Sequence, residues 1–408
     1  MGAPQGSSLS PDIFGFHVRD IPQPDWPVQI VSYADDLTIF GTGPLEEICQ
    51  KINGYLEVLF AYLNSIFLKI SPTKSTASLL TRESRQIHRL KSPDQQELQI
   101  FIDGKLIPVE LHPKILGVTL DPTLVFHKHV ADISRRMRNN TNVLKMLAST
   151  SFGQSKESLL ATYKAIGRPL CDYAAPVWST SASAASWRKL QVAQNSALRV
   201  ALGCHQAASE DHLHSEANML KVEEHCSLLS RQFLATCFSQ DHPCAELSLG
   251  HTGPLRRRGT YPSLLLTHHE WVAARLMWDP GGDQLNVRGS LNNIHTDHVA
   301  AILPGRSVNR VLGRQPPRIH PCERRLSREG RCLLSQLRSG HCIHLRSYQH
   351  RIRPNIADVC PLCGVASHTT GHIFNCMAMR TQLDVTSLWA RPLSALRFTR
   401  YLKNYRMA

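Results

Sequence analysis

The chain has 408 residues, 42% of them hydrophobic, enough for two or three domains with cores of their own and too apolar for wholesale disorder. Lys and Arg number 46 against 32 Asp and Glu, a formal charge of +14. That excess favours a polyanionic partner, and nucleic acid comes ahead of a membrane surface, because there is no lysine block and no basic amphipathic anchor.

Near the start, Gly2-Ala3-Pro4-Gln5-Gly6-Ser7-Ser8-Leu9-Ser10-Pro11 is a loop whose glycines let backbone approach a ligand, with Pro11 in the first turn of a helix. Residues 28–40 carry two short β-branched runs on either side of Tyr33-Ala34-Asp35-Asp36, the pattern of a hairpin with paired carboxylates at its tip. Adjacent aspartates repel each other, and a divalent cation relieves that repulsion. Hard oxygen donors suit magnesium, which binds through one or two carboxylates plus substrate phosphates, and two such ions can clamp a phosphoryl displacement.

Leu45, Ile48, Ile52, Leu56, Leu59 and Leu63 recur at three- and four-residue spacing, which predicts an amphipathic scaffold helix. The run 55–68 is too short for a membrane span and carries Glu57 and Asn64. Residues 98–109 alternate around Gly104, and a second hairpin, polar and at the surface, is expected there. Val130, Ile133, Met137, Leu144 and Leu147 define one face of a helix over 129–147, with Arg135, Arg136, Arg138 and Lys145 largely off it. Residues 186–202 repeat the arrangement, with Leu190, Ala193, Ala197 and Val200 inside, Arg188, Lys189 and Arg199 outside, and Gly203 as the C-cap. His212-Leu213-His214-Ser215-Glu216 has metal-ligand residue types but reads as structural helix.

Residues 242–317 have loop and linker composition, with Arg256-Arg257-Arg258 and Asp279-Pro280-Gly281-Gly282-Asp283. Leu333, Leu334, Leu337, Gly340, Leu345 and Tyr348 restore a helical pattern. Then come Cys360-Pro361-Leu362-Cys363, eight residues, His372, three residues and Cys376. A Cys-x2-Cys knuckle with a His and a Cys one helical turn apart predicts a closed tetrahedral Cys3His zinc site, in which His372 is preferred to its competitor His368. Trp389 and the basic end (Arg391, Arg397, Arg400, Lys403, Arg406) predict a closing helix. Most of the twelve cysteines are scattered singly, and Met1 runs straight into a Gly/Pro/Ser loop, which is not a signal-peptide pattern, so the expected location is intracellular, nuclear and cytoplasmic.

The loop 2–11, the Tyr33-Ala34-Asp35-Asp36 hairpin, Leu68-Lys69-Ile70-Ser71-Pro72-Thr73-Lys74-Ser75, Lys114-Ile115-Leu116-Gly117-Val118-Thr119-Leu120-Asp121 and Phe126-His127-Lys128-His129 follow one another as in reverse transcriptases. The chain resembles those of non-LTR retrotransposons, most of all the jockey group. The likeness continues through Tyr173-Ala174-Ala175-Pro176-Val177-Trp178 and 197–204 to the lead into the cysteine cluster. It implies an α+β fold: a partial right-hand polymerase palm with its primer grip (1–125), a mostly helical thumb (126–240), a loop-rich linker (241–320) and a zinc-knuckle-like module (321–408).

The implied function is RNA-directed DNA synthesis with two Mg²⁺ ions, in which a primer 3′-hydroxyl attacks the α-phosphate of a deoxynucleoside triphosphate, with target-primed copying of the element's RNA. Asp35 and Asp36 would hold the metals, Tyr33 would lie beside the primer terminus, and Pro4, Gln5 and Gly6 near the nascent pair. Lys74 is either a solvated loop lysine or the proton donor to the leaving pyrophosphate. The implied partners are an RNA template, a DNA primer or target and deoxynucleoside triphosphates, with no membrane. In the family a carboxylate on an earlier palm strand, the fingers and an endonuclease precede the first loop. The expectation is therefore the C-terminal part of a longer polyprotein, whose N-terminal part would be required for catalysis. The alternative is a catalytically dead, nucleic-acid-binding remnant.

Overall fold

A computed structural model describes residues 6–90, 98–149, 153–239, 244, 296–297 and 308–404. The expected linker, 241–320, lies largely outside the described residues, as do Pro4, Gln5 and Arg406. The fold mixes helices with small antiparallel hairpins, three two-stranded ones among the described residues. The chain divides into two units, Met1–His129 and Val130–Ala408.

In the first unit, α1 (Ser10–His17) starts with Pro11 in its first turn and buries none of its residues. His17 Nε2 and Ile66 O share a hydrogen bond of 3.1 Å. The strands β1 (Val28–Tyr33) and β2 (Asp36–Gly41) pair so that Ile30 faces Ile39 and Ser32 faces Leu37. Alternation therefore gathers Ile30, Leu37 and Ile39 on one face. They pack on α2 (Leu45–Ser65), whose three-four stripe buries Ile48, Leu56, Leu59 and Leu63 as its spacing predicts.

The second hairpin, β3 (Phe101–Ile102) and β4 (Lys105–Leu106), forms around Gly104. The expectation of a polar surface element needs correction. Leu98, Ile100, Ile102 and Ile107 are buried in the cluster beneath α2, because alternation puts every second residue of 98–102 on one apolar face. Asn53 of α2 secures it, accepting from Phe101 N at 2.9 Å and donating to Gln99 O at 3.0 Å.

After α3 (Ser84–Leu90) and the short pair β5 (Lys114–Ile115) and β6 (Val118–Thr119), the buried Asp121 carboxylate gathers one tight loop. It accepts from Thr123 N at 3.2 Å, Thr123 Oγ1 at 3.0 Å, Val125 N at 3.1 Å and His127 N at 3.2 Å. That last bond fixes the first residue of α4 (His127–Leu147).

The second unit continues with α5 (Lys156–Ile166), α6 (Pro169–Asp172), α7 (Ala175–Trp178), α8 (Ala184–Leu202), α9 (Glu210–Ala217) and α10 (Val222–Ser239). Leu144, Leu159, Tyr163, Leu198, Leu202 and Leu213 form one of its cores. Val130, Ile133, Met137 and Leu144 of α4 are buried, whereas Leu147, expected on the same face, is 37% exposed at the last turn. Ser183 caps α8 at its start, accepting from Ser186 N, and Gly203 ends it at φ 71°. A Cβ on Gly203 would lie 2.1 Å from Cys332 Sγ, so both conformation and space require glycine there.

Cys332 belongs to α11 (Arg328–Ser339), which is followed by α12 (Arg346–Ile352), α13 (Thr370–Asn375), α14 (Ser387–Ala390) and α15 (Pro392–Thr399). Leu334, Leu337, Tyr348, Phe374, Trp389 and Leu396 make the second core. The expected closing helix is divided between α14 and α15.

A buried ion network ties the helices of 130–239 to those of 308–404. Arg338, fully buried, donates to Glu216 Oε1 at 2.7 Å, to the Glu323 carboxylate, and to Leu388 O at 2.7 Å. Lys156 Nζ lies 3.0 Å from Glu216 and 3.7 Å from Glu323. Arg331 makes a two-pronged contact with Glu157, one arm at 2.7 Å. Burial alone would push the Glu216 carboxyl up, but Arg338 and Lys156 hold it well below the usual carboxylate range.

Three consequences are measurable. Asp121→Ala leaves three backbone N–H groups of the loop without their acceptor, so urea denaturation should show the first unit weakened by about 1–3 kcal/mol. Arg338→Met leaves two carboxylates buried without their main partner and should cost the second unit about 3–5 kcal/mol. A folded-state pKa below the unfolded value means that Glu216 stabilises the fold above about pH 4.3. That stability is lost as the pH falls below this value, so the urea midpoint of the second unit should drop between about pH 5 and about pH 3, and less so in Glu216→Gln.

Candidate active site and metal centre

The first constellation is the tip of the β1–β2 hairpin. Tyr33 pairs with Asp36, leaving Ala34 and Asp35 as a two-residue turn, and Ala34 takes a left-handed φ of 51°. With the inner face of the hairpin on α2, the outer face carries Val31, Tyr33, Asp36, Thr38 and Phe40. Val31, Tyr33, Asp35, Asp36 and Phe40 are all exposed, Tyr33 at 66%. Two carboxylates thus stand side by side, open to solvent, on a strand pair anchored from behind. Hard oxygen donors so presented suit a divalent cation.

Lys74 is exposed on a separate turn of the same unit, where its N–H donates to Ser71 O at 3.1 Å and Ser75 Oγ closes onto the same carbonyl at 2.9 Å. Gly6 has a positive φ of 88° with open space where a Cβ would sit, a backbone free to approach a ligand. Pro4 and Gln5 fall outside the described residues. The structure therefore brings Tyr33, Asp35 and Asp36 together and gives Lys74 and Gly6 places of their own.

The second constellation is the cysteine cluster. The ligand atoms of Cys360, Cys363, His372 and Cys376 all lie within 4.8 Å of one another. Cys360 Sγ and Cys376 Sγ are 3.9 Å apart, and Cys363 Sγ is 3.3 Å from His372 Nε2. A tetrahedron with metal–sulfur bonds of about 2.3 Å has an edge of about 3.8 Å, so this set can hold a metal.

Local structure explains the grouping. Gly364 N donates to Cys360 O at 2.9 Å and Cys360 N to Ala366 O at 2.7 Å, closing the knuckle. Thr369 caps α13 by accepting from His372 N at 3.2 Å, which fixes the histidine on the first turn. Ile373 and Phe374 are buried in the core beneath it. The N–H groups of Ala366 and Val365 hold the Cys363 thiol down to about 6, favouring the thiolate that ligation needs.

His368 stands apart from this set. It is completely buried, accepts from Arg346 N at 3.2 Å through Nδ1, and receives Ser347 Oγ on its carbonyl at 2.8 Å. Burial, with His372 and Arg346 nearby, keeps it neutral down to about 4. It tethers the start of α12. Asp358 supports the knuckle unannounced by the sequence pattern, its carbonyl accepting from His368 N at 2.7 Å and its carboxylate from Ser367 Oγ at 2.8 Å.

The residues 212–216 hold no metal cluster among the described residues. They lie on α9, where His214 bonds to Met219 O at 2.8 Å and Asn195 at 3.2 Å, and Glu216 enters the ion network.

Residues 1–120 match the family described as reverse transcriptase (RNA-dependent DNA polymerase). The chain is 25% identical over 264 residues to the probable RNA-directed DNA polymerase from transposon BS of Drosophila melanogaster, covering 63% of this chain and 28% of that protein. It is 27% identical over 230 residues to the corresponding protein from transposon X-element of the same species, 54% of this chain and 24% of the other. It is 24% identical over 206 residues to the RNA-directed DNA polymerase from mobile element jockey of Drosophila funebris, 48% of this chain and 21% of the other. The chain thus spans about a quarter of the length of these relatives. A match of 264 residues cannot be confined to the first 120, so the likeness reaches into the helical unit. Residues 1–120 carry a reverse transcriptase domain, and the chain is similar to the RNA-directed DNA polymerases of jockey and other non-LTR mobile elements.

Proposed function

We propose that the chain acts in RNA-directed DNA synthesis, with Asp35 and Asp36 as the carboxylates that hold two Mg²⁺ ions. The observation that carries this reading is the exposed Tyr33-Ala34-Asp35-Asp36 tip, held from behind by α2 inside the segment that matches the reverse transcriptase family. Bound there, the ions would supply charge neutralisation for the attacking and leaving oxygens. The residues do the rest. Tyr33 offers an exposed ring beside the carboxylates for the primer terminus, and Gly6 offers backbone approach to the incoming pair. Lys74, exposed on its own turn, would give a proton to the departing pyrophosphate. An RNA template, a DNA primer and deoxynucleoside triphosphates are the substrates this chemistry requires.

The cysteine cluster is read as a structural zinc site. Four protein ligands of Cys3His type leave no open position for chemistry, and Ile373 and Phe374 of α13 belong to the second core. None of the twelve cysteines is in a disulfide, which suits a nuclear and cytoplasmic location. No helix among the described residues is long and apolar enough to cross a membrane.

A second reading, nucleic-acid binding without catalysis, is favoured by one observation. Among the described residues no third metal-ligating side chain joins Asp35 and Asp36.

Primer extension on an RNA template with Mg²⁺ separates the two readings. Extension by the full chain that falls at least about a hundredfold in Asp35→Ala, with nucleic-acid affinity unchanged, is expected of the polymerase. Absence of extension alongside salt-sensitive binding would leave the second reading. Lys74→Met should slow turnover by about a hundredfold or more if the lysine is the proton donor, and leave it unchanged if it is only a solvated loop residue. For the metal, dialysed protein should retain one zinc per chain, His372→Ala should lose it, and His368→Ala should keep it; equal loss in both would sink this ligand assignment.

A further inference from the structure

Arg324-Arg325-Leu326-Ser327 joins the 3₁₀ turn Pro321–Arg325 to the start of α11. The arginines that follow on α11 are committed: Arg328 to the carbonyls of Val200 and Ala201, Arg331 to Glu157, and Arg338 to Glu216 and Glu323. Arg324 and Arg325 differ. Both are exposed, and neither guanidinium has a hydrogen-bond or ion-pair partner among the described residues.

Ser327 is exposed as well. It is the N-cap of α11, and its Oγ accepts from Gly330 N at 3.3 Å. The cap uses a lone pair of the hydroxyl and leaves its proton without a protein acceptor among the described residues. Two unmatched arginines three and two residues before an exposed hydroxyl form the charge pattern by which arginine-directed kinases select their substrates. Leu326 (φ −81°, ψ 149°) and Ser327 (φ −60°, ψ 156°) are already extended, the form in which a substrate chain lies in a kinase cleft. The arginines sit on a 3₁₀ turn, whose hydrogen-bond geometry is poorer than that of an α-helix. That turn can therefore open to extend them while α11 stays folded.

We propose that Ser327 is a phosphorylation site for an arginine-directed serine kinase, and that the phosphate it receives tightens the cap of α11. Ser327 Oγ attacks the γ-phosphorus of ATP. The new O–P bond forms as the bond from that phosphorus to the bridging oxygen breaks, ADP leaves, and the hydroxyl proton passes to the catalytic carboxylate of the kinase. The product carries nearly two negative charges and three acceptor oxygens. They arrive at the positive end of a 12-residue helix, where negative charge is stabilising. Glu329 in the first turn opposes them, but Arg324 and Arg325 bring two positive charges to the same end. A second match to the pattern, Arg257-Arg258-Gly259-Thr260, lies outside the described residues.

The test incubates the full chain with cyclic-AMP-dependent protein kinase and γ-labelled ATP, and maps the labelled peptide by mass spectrometry. Label is expected on Ser327. Ser327→Asn keeps a capping side chain but has no hydroxyl, and should lose that label. The Arg324→Gln, Arg325→Gln double variant keeps the serine and should be labelled at least about tenfold more slowly. Circular dichroism checks that both variants are folded, and Ser327→Asn decides if the double variant is not. The thermal midpoint of the fully phosphorylated chain should rise by about 2–4 °C, with no rise in Ser327→Asn after the same treatment. Label confined to Thr260 or to other hydroxyls overturns the proposal, as does labelling of Ser327 at an equal rate in a folded double variant. A midpoint unchanged or lowered at full phosphorylation overturns the tightened cap. None of these readouts depends on primer extension, so their outcome is separate from that of the polymerase reading.

Discussion

The second unit depends on one guanidinium. Arg338 sits with no solvent exposure between Glu216, which arrives on α9, and Glu323, which arrives just before α11. A buried charge is tolerated only when it is paired and its remaining donors are satisfied, and here the carbonyl of Leu388 takes up what the carboxylates leave. Lys156 closes the circle from α5. The arrangement therefore demands four separate stretches of chain at once, and helices that the sequence reading assigns to a thumb and to a terminal module are held in one unit by it.

The two chemically equipped places, one in each unit, differ in kind. The hairpin tip is open. Its carboxylates are exposed, its inner face alone is anchored, and its register is set by side chains that alternate between core and water. The cysteine cluster is closed, set by a capped helix turn above a packed core and by backbone N–H groups that favour thiolate. Openness suits a site through which substrates pass, and closure suits one that only has to stay together.

Local periodicity made much of this legible in the sequence. The three-four stripe of α2, the β1–β2 hairpin with Asp35 and Asp36 at its tip, and the glycine that ends α8 are each written in a window of about twenty residues or fewer. The spacing of Cys360, Cys363, His372 and Cys376 is equally local, and the structure groups those four atoms. What depends on distant partners was not legible. Glu216 and Arg338 are 122 positions apart, and nothing in the residues 212–216 names that partner. Residues 98–109 read as surface because their burial depends on α2 covering one face. Asp121 stands in the sequence as the last residue of the segment 114–121 that carries part of the resemblance, whereas its carboxylate organises the loop that follows. Arg328 looks like one more solvated arginine until α8 ends against it.

The shared ion network has a consequence for how variation can accumulate. Lys156, Glu216, Glu323 and Arg338 touch one another, so a change at any one of them alters the cost of a change at the others. Loss of a single member strands a charge, while simultaneous loss of an opposite pair removes both the charge and its need for a partner. Four positions spread over more than 180 residues of sequence therefore behave as one heritable character, open to replacement in pairs and closed to replacement singly.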